Sequence, residues 1–465
     1  MTSLDICWMT ATELSRAISE KELSPVDVVK AILERIEVIN PKINAYVTVN
    51  ADLAIEAAKQ AEDAVMKNEA VGPLHGVPVS IKDLIFTKDM RTTMGSRLME
   101  HFIPEEDAVA VARLKEAGAI VLGKTNTSEF GLKTLTDNLV FGVTRNPWCL
   151  ERTCGGSSGG AAAAVASGLG PLAVGTDGGG SIRIPSSCCG VFGLKPQFGR
   201  IPRYPAFPTS SILVHEGTIT RTVEDAALML NTIVGYHWGD SCSVPAPCGS
   251  FADTLGGGVK GLKIAWSPDL EYAAVDPEIR EVCEHAAKKF IDMGAEVEKA
   301  TPGLSNPQVY IESIFRADML ATLSVFGSVD QIVDKLDPLT AKTLHLASQM
   351  KASDYARAII ARQELSSKMG KFFQTYDLLL TPTLTEPPPC VDFIEPLGFL
   401  GWMSFTNPFN FTGQPAASIP AGWTKDGLPI GLQIVGRAYD EATVLQAAAA
   451  FEKASPWKHV TPPLD

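Results

Sequence analysis

The chain has 465 residues, of which 45% are hydrophobic and 20% are charged, and this composition excludes extensive disorder, a collagen-like repeat and a coiled coil. Its 53 acidic residues outnumber 40 Lys and Arg and leave a formal charge of −13, which opposes attraction to phosphate backbones and anionic membranes. We therefore expect neither a nucleic acid nor a membrane as a partner.

The chain start lacks the basic segment and apolar core of a signal peptide, and no stretch of about 18 uncharged apolar residues occurs. The nine Cys are scattered, without the spacing of a disulfide framework or paired zinc knuckles. The seven His are equally dispersed and form no metal-binding motif. We expect a cytoplasmic protein that uses no metal and no cofactor.

Helix-capping signals mark the first part of the chain. Thr10 with Glu13 three positions later has the pattern of a capping box, and Ser24 before Pro25 places an N-cap ahead of a favoured first-turn proline. Another helical pattern covers residues 52–67. The sequence therefore predicts an N-terminal helical region.

Strands and helices alternate after this region. Segment 76–82 alternates and is rich in β-branched residues, which predicts a strand that ends at Lys82. The next predicted elements are helix 108–117, strand 119–122, helix 161–166 and strand 172–175. Further predicted strands are 262–266, 378–381 and 430–435, and further predicted helices are 277–293, 309–326 and 353–373. This alternation favours one large α/β domain.

Two glycine-rich turns flank the helix predicted over 161–166, and each carries a serine. Residues 155–160 have the sequence GGSSGG and include Ser157, while Ser181 lies in segment 175–185, directly after an apolar strand. Glycines before a serine let successive backbone N–H groups converge on a developing oxyanion. An isolated GGSSGG is more often a flexible loop. Because a second serine-bearing turn lies at the other side of the same helix, we favour a catalytic interpretation.

A serine nucleophile needs a neighbouring base. No His lies close to either turn in sequence, and the G-x-S-x-G pattern of many serine hydrolases does not occur. Lys82, at the end of a predicted strand, is the remaining candidate. Taken alone, a lysine in such a position is far more often a surface residue.

A second motif points to a different class of protein. Residues 118–125 match the P-loop pattern GxxxxGK[ST] and include Lys124. A P-loop needs its strand before the first glycine and a loop of small residues inside the pattern, whereas here the interior is Ala-Ile-Val-Leu. A P-loop-like nucleotide-binding protein is therefore only a remote alternative.

With both serine turns and Lys82, the chain resembles the amidase signature family of serine hydrolases. Further agreement lies in segments 74–83, 123–130, 141–148, 189–196, 407–416 and 427–433. The resemblance implies the amidase signature fold, a single α/β domain with a mixed, mostly parallel twisted sheet covered by helices on both faces. It also implies amide hydrolysis through an acyl-serine intermediate.

We divide this single amidase domain, residues 1–465, into four parts. They are an N-terminal helical region (1–70), a catalytic amidase-signature core (71–235), a variable substrate-side segment (241–396) and the C-terminal part of the core (397–465).

The resemblance assigns roles to individual residues. It makes Lys82 the base, Ser157 a bridging serine on an unusual cis peptide, and Ser181 the nucleophile. The oxyanion hole that it implies is formed by the backbone of Gly178, Gly179, Gly180 and Ser181. Supporting hydrogen bonds are expected from Ser158, Thr176, Asp177 and Arg183. Gly178 departs from the family pattern, which often has a larger residue there.

These motifs leave the substrate open. Trp402, Phe405 and Phe409 lie near a family motif and are candidates for apolar walls of the substrate pocket, with a role as ordinary core aromatics as the alternative. An aromatic wall favours a small aryl or alkyl amide or an anilide as the partner. The alternative function is that of the glutaminase component of a glutamyl-tRNA(Gln) amidotransferase complex, and assembly into a homodimer is left open.

Overall fold

The computed structural model describes residues 2–207, 212–393 and 402–464, and thirteen strands lie within them. They are β1 (Tyr46–Val49), β2 (Pro78–Lys82), β3 (Ile120–Thr125), β4 (Arg145–Asn146), β5 (Cys149–Thr153), β6 (Leu172–Asp177), β7 (Phe192–Lys195), β8 (His215–Thr220), β9 (Lys263–Trp266), β10 (Glu296–Lys299), β11 (Leu378–Pro382), β12 (Ala416–Trp423) and β13 (Pro429–Gly436). Eleven strands form one sheet in the order β1-β3-β2-β6-β8-β7-β12-β13-β11-β9-β10, and β4 pairs with β5.

The α-helices flank this sheet. They are α1 (Ser3–Trp8), α2 (Ala11–Ser19), α3 (Pro25–Ile43), α4 (Ala51–Met66), α5 (Val109–Glu116), α6 (Gly159–Ala166), α7 (Arg183–Cys189), α8 (Val223–Ile233), α9 (Pro277–Asp292), α10 (Gln308–Leu323), α11 (Val329–Ile332), α12 (Pro338–Ala347), α13 (Ala352–Phe372), α14 (Asn407–Phe411) and α15 (Glu441–Ala454). In the described part of the chain, no helix is both long and apolar enough to cross a bilayer.

The single α/β domain with a mixed sheet is confirmed, but parallel pairs are not its majority. Between the described strands, the pairs β3–β2, β2–β6, β11–β9 and β9–β10 are parallel. The other six pairs of the large sheet are antiparallel. Antiparallel strands can be joined by short turns, as β12 and β13 are, whereas each parallel pair needs a longer crossover.

Side-chain caps begin the N-terminal helices where the sequence predicted. The capping box of Thr10 and Glu13 begins α2, and Ser24 accepts hydrogen bonds from the first backbone N–H groups of α3. A further helix, α1, precedes them and has its own capping box between Thr2 and Asp5. The sequence signal that predicted α2 was therefore also present for α1.

The P-loop-like segment is a buried strand. β3 occupies the interior of the motif, where a P-loop would have its phosphate-binding loop. The Lys124 side chain is fully buried and donates to the Ile85 carbonyl and, at 2.9 Å, to Thr87 Oγ1. The remote alternative of a nucleotide-binding P-loop therefore has no support in the fold.

The parallel pair β2–β6 brings the candidate catalytic residues to one edge of the sheet. Lys82 is the last residue of β2, and Thr176 and Asp177 end β6. Because the carboxyl ends of parallel strands meet at the same edge, these side chains lie close together. Helix α6, with every residue buried, begins directly after the first serine turn and anchors that turn in the core.

Candidate active site

The first serine turn has a backbone that only glycine fits. Gly155 has a positive φ of 75°, and the Gly156–Ser157 peptide bond is cis. A Cβ on Gly156 would lie 2.3 Å from the Leu135 carbonyl oxygen, closer than any side chain can approach. The turn therefore packs its backbone directly against a neighbouring segment and presents Ser157 at the sheet edge.

Lys82 contacts three hydroxyl groups in this corner. Its Nζ lies 2.7 Å from Ser157 Oγ, 2.9 Å from Ser158 Oγ and 2.9 Å from Thr176 Oγ1. Ser158 Oγ also donates to the Thr176 carbonyl at 3.0 Å. The structure thus brings together four of the residues that the sequence singled out.

The environment of Lys82 disfavours its charged form. The side chain is fully buried, and loss of hydration lowers the pKa of the amine well below its ordinary value. The negative charge of Asp177 acts in the opposite direction and does not compensate for burial. An uncharged amine beside a hydroxyl is the combination that general-base chemistry needs.

Ser181 lies in the turn that follows β6 and borders the same cavity as Ser157 and Thr176. Its carbonyl accepts a hydrogen bond of 3.1 Å from the Ser158 N–H, which ties the two serine turns together. Its hydroxyl has no hydrogen bond to any residue that the structure describes. The structure therefore joins Lys82 to Ser157 by a hydrogen bond and places Ser181 on the cavity that Ser157 borders, without a hydrogen bond between the two serine hydroxyls.

The backbone before Ser181 provides some of the expected oxyanion donors. Among the described residues, the N–H groups of Gly178, Gly179 and Ser181 have no partner. The N–H of Gly180, in contrast, donates to Asp177 Oδ1 at 2.6 Å. We expected Gly180 to donate to the oxyanion. Its N–H is instead used by the Asp177 carboxylate, because the turn folds around that carboxylate.

A buried ion pair holds that carboxylate in place. Arg183 Nε and Nη2 each donate to Asp177 at 3.0 Å, and both side chains are fully buried. Burial tends to raise the pKa of Asp177, but the Arg183 guanidinium outweighs it and holds the pKa well below its usual range. Asp177 is therefore an anion at neutral pH and orients the turn before Ser181.

Three residues that had no predicted role complete this arrangement. Arg183 Nη1 donates to Gln433 Oε1 at 2.7 Å and to the Thr406 carbonyl at 3.0 Å. Asn410 accepts from Arg183 and donates to Asp177 Oδ1 at 2.8 Å. Asn410 and Gln433 lie in segments 407–416 and 427–433, which carry the family resemblance. The sequence therefore marked these segments but did not show that the two residues bind Arg183.

The cavity beside Ser181 has a largely apolar wall. Its apolar members come from five parts of the chain: Leu84, Ile85, Met94, Phe130, Pro205, Ala206, Phe207, Val214, Phe315 and Met319. The rings of Phe130 and Phe207 stack with their centroids 5.4 Å apart. Glu216 and Arg203 also border the cavity and are the charged side chains of its wall within the described residues.

The aromatic residues chosen from the sequence lie elsewhere. Trp402, Phe405 and Phe409 are fully buried, and none borders the cavity beside Ser181. Trp402 packs in the main hydrophobic core, while Phe405 and Phe409 pack in a second cluster. Their placement is that of core aromatics, and Phe130, Phe207 and Phe315 supply the aromatic wall instead.

Comparison with known proteins agrees with this geometry. Residues 27–445 match the family model described as Amidase. The chain belongs to the amidase signature family. It is an amide hydrolase, and the serine turns and Lys82 lie within the matched region.

Individual relatives cover nearly the whole amidase. An acylamidase of Rhodococcus erythropolis is 39% identical, with 99% of this chain and 98% of the relative covered. A component of the glutamyl-tRNA(Gln) amidotransferase of Geobacter metallireducens is 37% identical over 97% of this chain and 98% of its own. A bacterial aryl acylamidase of solved structure superposes with a TM-score of 0.90 at 33% identity, covering 97% of each chain.

Gly178 packs closely against the aromatic wall of this amidase. A Cβ on Gly178 would lie 2.9 Å from Phe315 Cζ. Phe315 belongs to α10, in the segment predicted to form the substrate side, and its ring takes the space that a larger residue would need. The absence of a side chain at Gly178 therefore leaves the space that the ring of Phe315 fills.

Proposed function

We propose that this amidase hydrolyses a small aryl or alkyl amide, or an anilide, through an acyl intermediate on Ser181. Lys82 acts as the base and Ser157 as the bridging serine. The observation that carries the proposal is the 2.7 Å contact between Lys82 Nζ and Ser157 Oγ, because Ser157 borders the same cavity as Ser181.

The reaction begins with a proton relay. Neutral Lys82 accepts the proton of Ser157, which accepts the proton of Ser181, and Ser181 Oγ attacks the amide carbonyl. The free N–H groups of Gly178, Gly179 and Ser181 donate to the oxyanion of the tetrahedral intermediate. The relay then returns its proton to the leaving nitrogen, and the C–N bond breaks. Water attacks the acyl-Ser181 ester in a second passage, which releases the acid and restores the serine.

The relay requires Ser181 Oγ to turn towards Ser157. Catalytic hydrogen bonds are often open in the free enzyme and close when substrate binds. Both serines border the same cavity, into which Ser181 Oγ would turn. We therefore place closure of the Ser157–Ser181 contact at the step of substrate binding.

The wall of the cavity supports the substrate class. Phe130, Phe207 and Phe315 border the cavity and give it aromatic surface against which an aryl or alkyl group can pack. The names of two similar proteins, an acylamidase and an aryl acylamidase, point to the same chemistry. Cytoplasmic location and homodimer formation stay predictions.

Mapping a covalent adduct tests which serine is the nucleophile. The purified chain is treated with a sulfonyl fluoride, and the modified peptide is identified by mass spectrometry. We expect one adduct on Ser181, absent from Ser181→Ala and slowed in Lys82→Ala. An adduct on Ser157 would reverse the roles of the two serines, and no adduct on either would remove the acyl-enzyme.

The second candidate is the glutaminase component of a glutamyl-tRNA(Gln) amidotransferase complex. The 37% identity to a component of such an enzyme over nearly the whole chain favours it. Turnover of a panel of aliphatic, aryl, anilide and glutamine substrates by the purified chain separates the two functions. Strict dependence on glutamine, with partner proteins that copurify, would favour the amidotransferase.

A further inference from the structure

Two charged side chains interrupt the apolar wall of the active-site cavity. Glu216 and Arg203 border this cavity and also a neighbouring cavity of about 220 Å³. The proton relay and the oxyanion donors use neither residue. A carboxyl group and a guanidinium in an apolar wall carry a desolvation cost, so their position needs an explanation.

Strand register places Glu216 on the reaction side of the sheet. Glu216 in β8 lies directly opposite Thr176 in the antiparallel pair β6–β8. Side chains of directly opposed residues project to the same face, with Cβ atoms about 4.5–5.5 Å apart. Glu216 is therefore the cross-strand neighbour of Thr176, whose Oγ1 contacts the proposed base Lys82.

Glu216 and Arg203 each have a buried polar atom without a hydrogen-bond partner in the described part of the chain. Glu216 is 3% exposed, and its Oε2 is buried without a hydrogen bond within the described ranges. Arg203 Nε is also sealed from solvent and unpartnered among those residues. Buried polar groups in folded proteins nearly always have partners. A free acceptor and a free donor on one cavity wall point to a ligand that supplies both complements.

We propose that Glu216 and Arg203 are specificity-determining residues that bind a second amide group of the substrate. The N–H of this second amide donates to the Glu216 carboxylate, and its carbonyl accepts from Arg203 Nε. The inference rests on the proposed function, because the first amide must be the one that Ser181 attacks. It adds that the substrates of choice are diamides.

The apolar surroundings favour an amide over a charged group. Burial raises the pKa of Glu216 to about 7, while the nearby Arg203 charge acts to lower it. Moving an ammonium–carboxylate pair of a ligand against this largely apolar wall costs far more hydration than moving a neutral amide dipole there. A free amino acid such as glutamine is therefore a poorer fit.

The test compares linear diamides, from succinamide to suberamide, with monoamides of the same chain length. We expect the wild-type enzyme to show a kcat/KM for the best diamide about tenfold or more above that of its matched monoamide. The advantage should lie mainly in KM, since the second amide is bound at a distance from the reacting carbonyl.

Three variants locate the advantage. Glu216→Met and Arg203→Met should each bring the ratio of diamide to monoamide close to one through the KM of the diamide. Glu452→Met is the matched control, because Glu452 also has a buried, unpartnered carboxyl oxygen but borders neither cavity. The control should keep the wild-type ratio. Thermal melting identifies any variant that does not fold. If Glu216→Met does not fold, the ratio in Arg203→Met and the wild-type ratio decide the test.

Each outcome has one meaning. A wild-type ratio near one, a ratio kept by both cavity variants, or a preference for L-glutamine over every diamide overturns the inference. Turnover of monoamides that depends on Ser181 would leave the proposed function standing in all three cases. An enzyme that hydrolyses no amide in the panel would instead contradict the proposed function itself.

Discussion

Lys82 Nζ lies 2.7 Å from Ser157 Oγ, and both side chains are sealed from solvent. Ser158 and Thr176 complete a ring of hydroxyl groups around the amine, and the carboxylate of Asp177 is already held by Arg183. The amine therefore has hydroxyl partners but no carboxylate in hydrogen-bond contact among the residues that the structure describes. This separation lets burial determine the protonation state of Lys82.

The rate of amide hydrolysis should rise with pH as Lys82 loses its proton. Because burial lowers its pKa, the rising limb of kcat/KM should have its midpoint below the value near 10.4 of a free lysine. Lys82→Arg keeps the charge at every pH and should lose the limb together with about a hundredfold or more of the rate. Retention of the limb by this variant would exclude Lys82 as the base.

The same pKa shift predicts how stability changes with pH. Below about pH 10.4 the unfolded chain binds a proton at Lys82 that the folded chain resists, so this residue destabilises the fold at neutral pH. The free energy of unfolding of Lys82→Met minus that of wild type should therefore be larger at pH 7 than at pH 10. Denaturant titrations at the two pH values measure this difference, and equal values would contradict the neutral amine.

Removal of Arg183 should cost far more stability than removal of a surface arginine. Arg183→Met leaves the Asp177 carboxylate buried without its partner and should lower the free energy of unfolding by about 3–5 kcal/mol. The matched control is Arg357→Met, whose ion pair with Asp354 is exposed and should matter little. Asp177→Asn in the Arg183→Met background should recover part of the loss. Additive effects of the two changes would argue against the pair.

Acid should weaken the same pair. The pKa of Asp177 is depressed in the folded state, so its stabilising contribution is present above the unfolded value near 3.9 and is lost as the pH falls through the lower, folded value. Urea titrations between pH 5 and pH 2 should show this loss in wild type and less of it in Asp177→Asn.

The aromatic wall should control substrate choice, and the core aromatics should not. Phe315→Ala opens the cavity and should lower the ratio of aryl to alkyl amide kcat/KM. Phe405→Ala removes a fully buried ring outside the cavity and should cost about 3–5 kcal/mol of stability without changing that ratio. Kinetics on matched aryl and alkyl amides, with denaturant unfolding, measure both effects. A changed ratio in Phe405→Ala would indicate that this ring lines the substrate pocket after all.

Local signals in the sequence determined where many helices and strands begin and end. Ser24 caps α3 through backbone groups two and three residues away, and Lys82 ends a strand whose alternation is visible within seven residues. Such interactions span only a few residues, so they can be recognised from the sequence alone. The pairing of Lys82 with a serine turn, in contrast, depended on resemblance to a family.

Tertiary structure alone decided the wall of the cavity and the support of Asp177. Asn410 and Gln433 reach Arg183 across 227 and 250 residues of chain, and Glu216 faces Thr176 only because β8 pairs with β6 in one register. The rings of Phe405 and Phe315 are equally apolar in sequence, yet one lies in the core and the other in the wall. Burial and pairing are properties of contacts between distant segments, and no local pattern records which segments will meet.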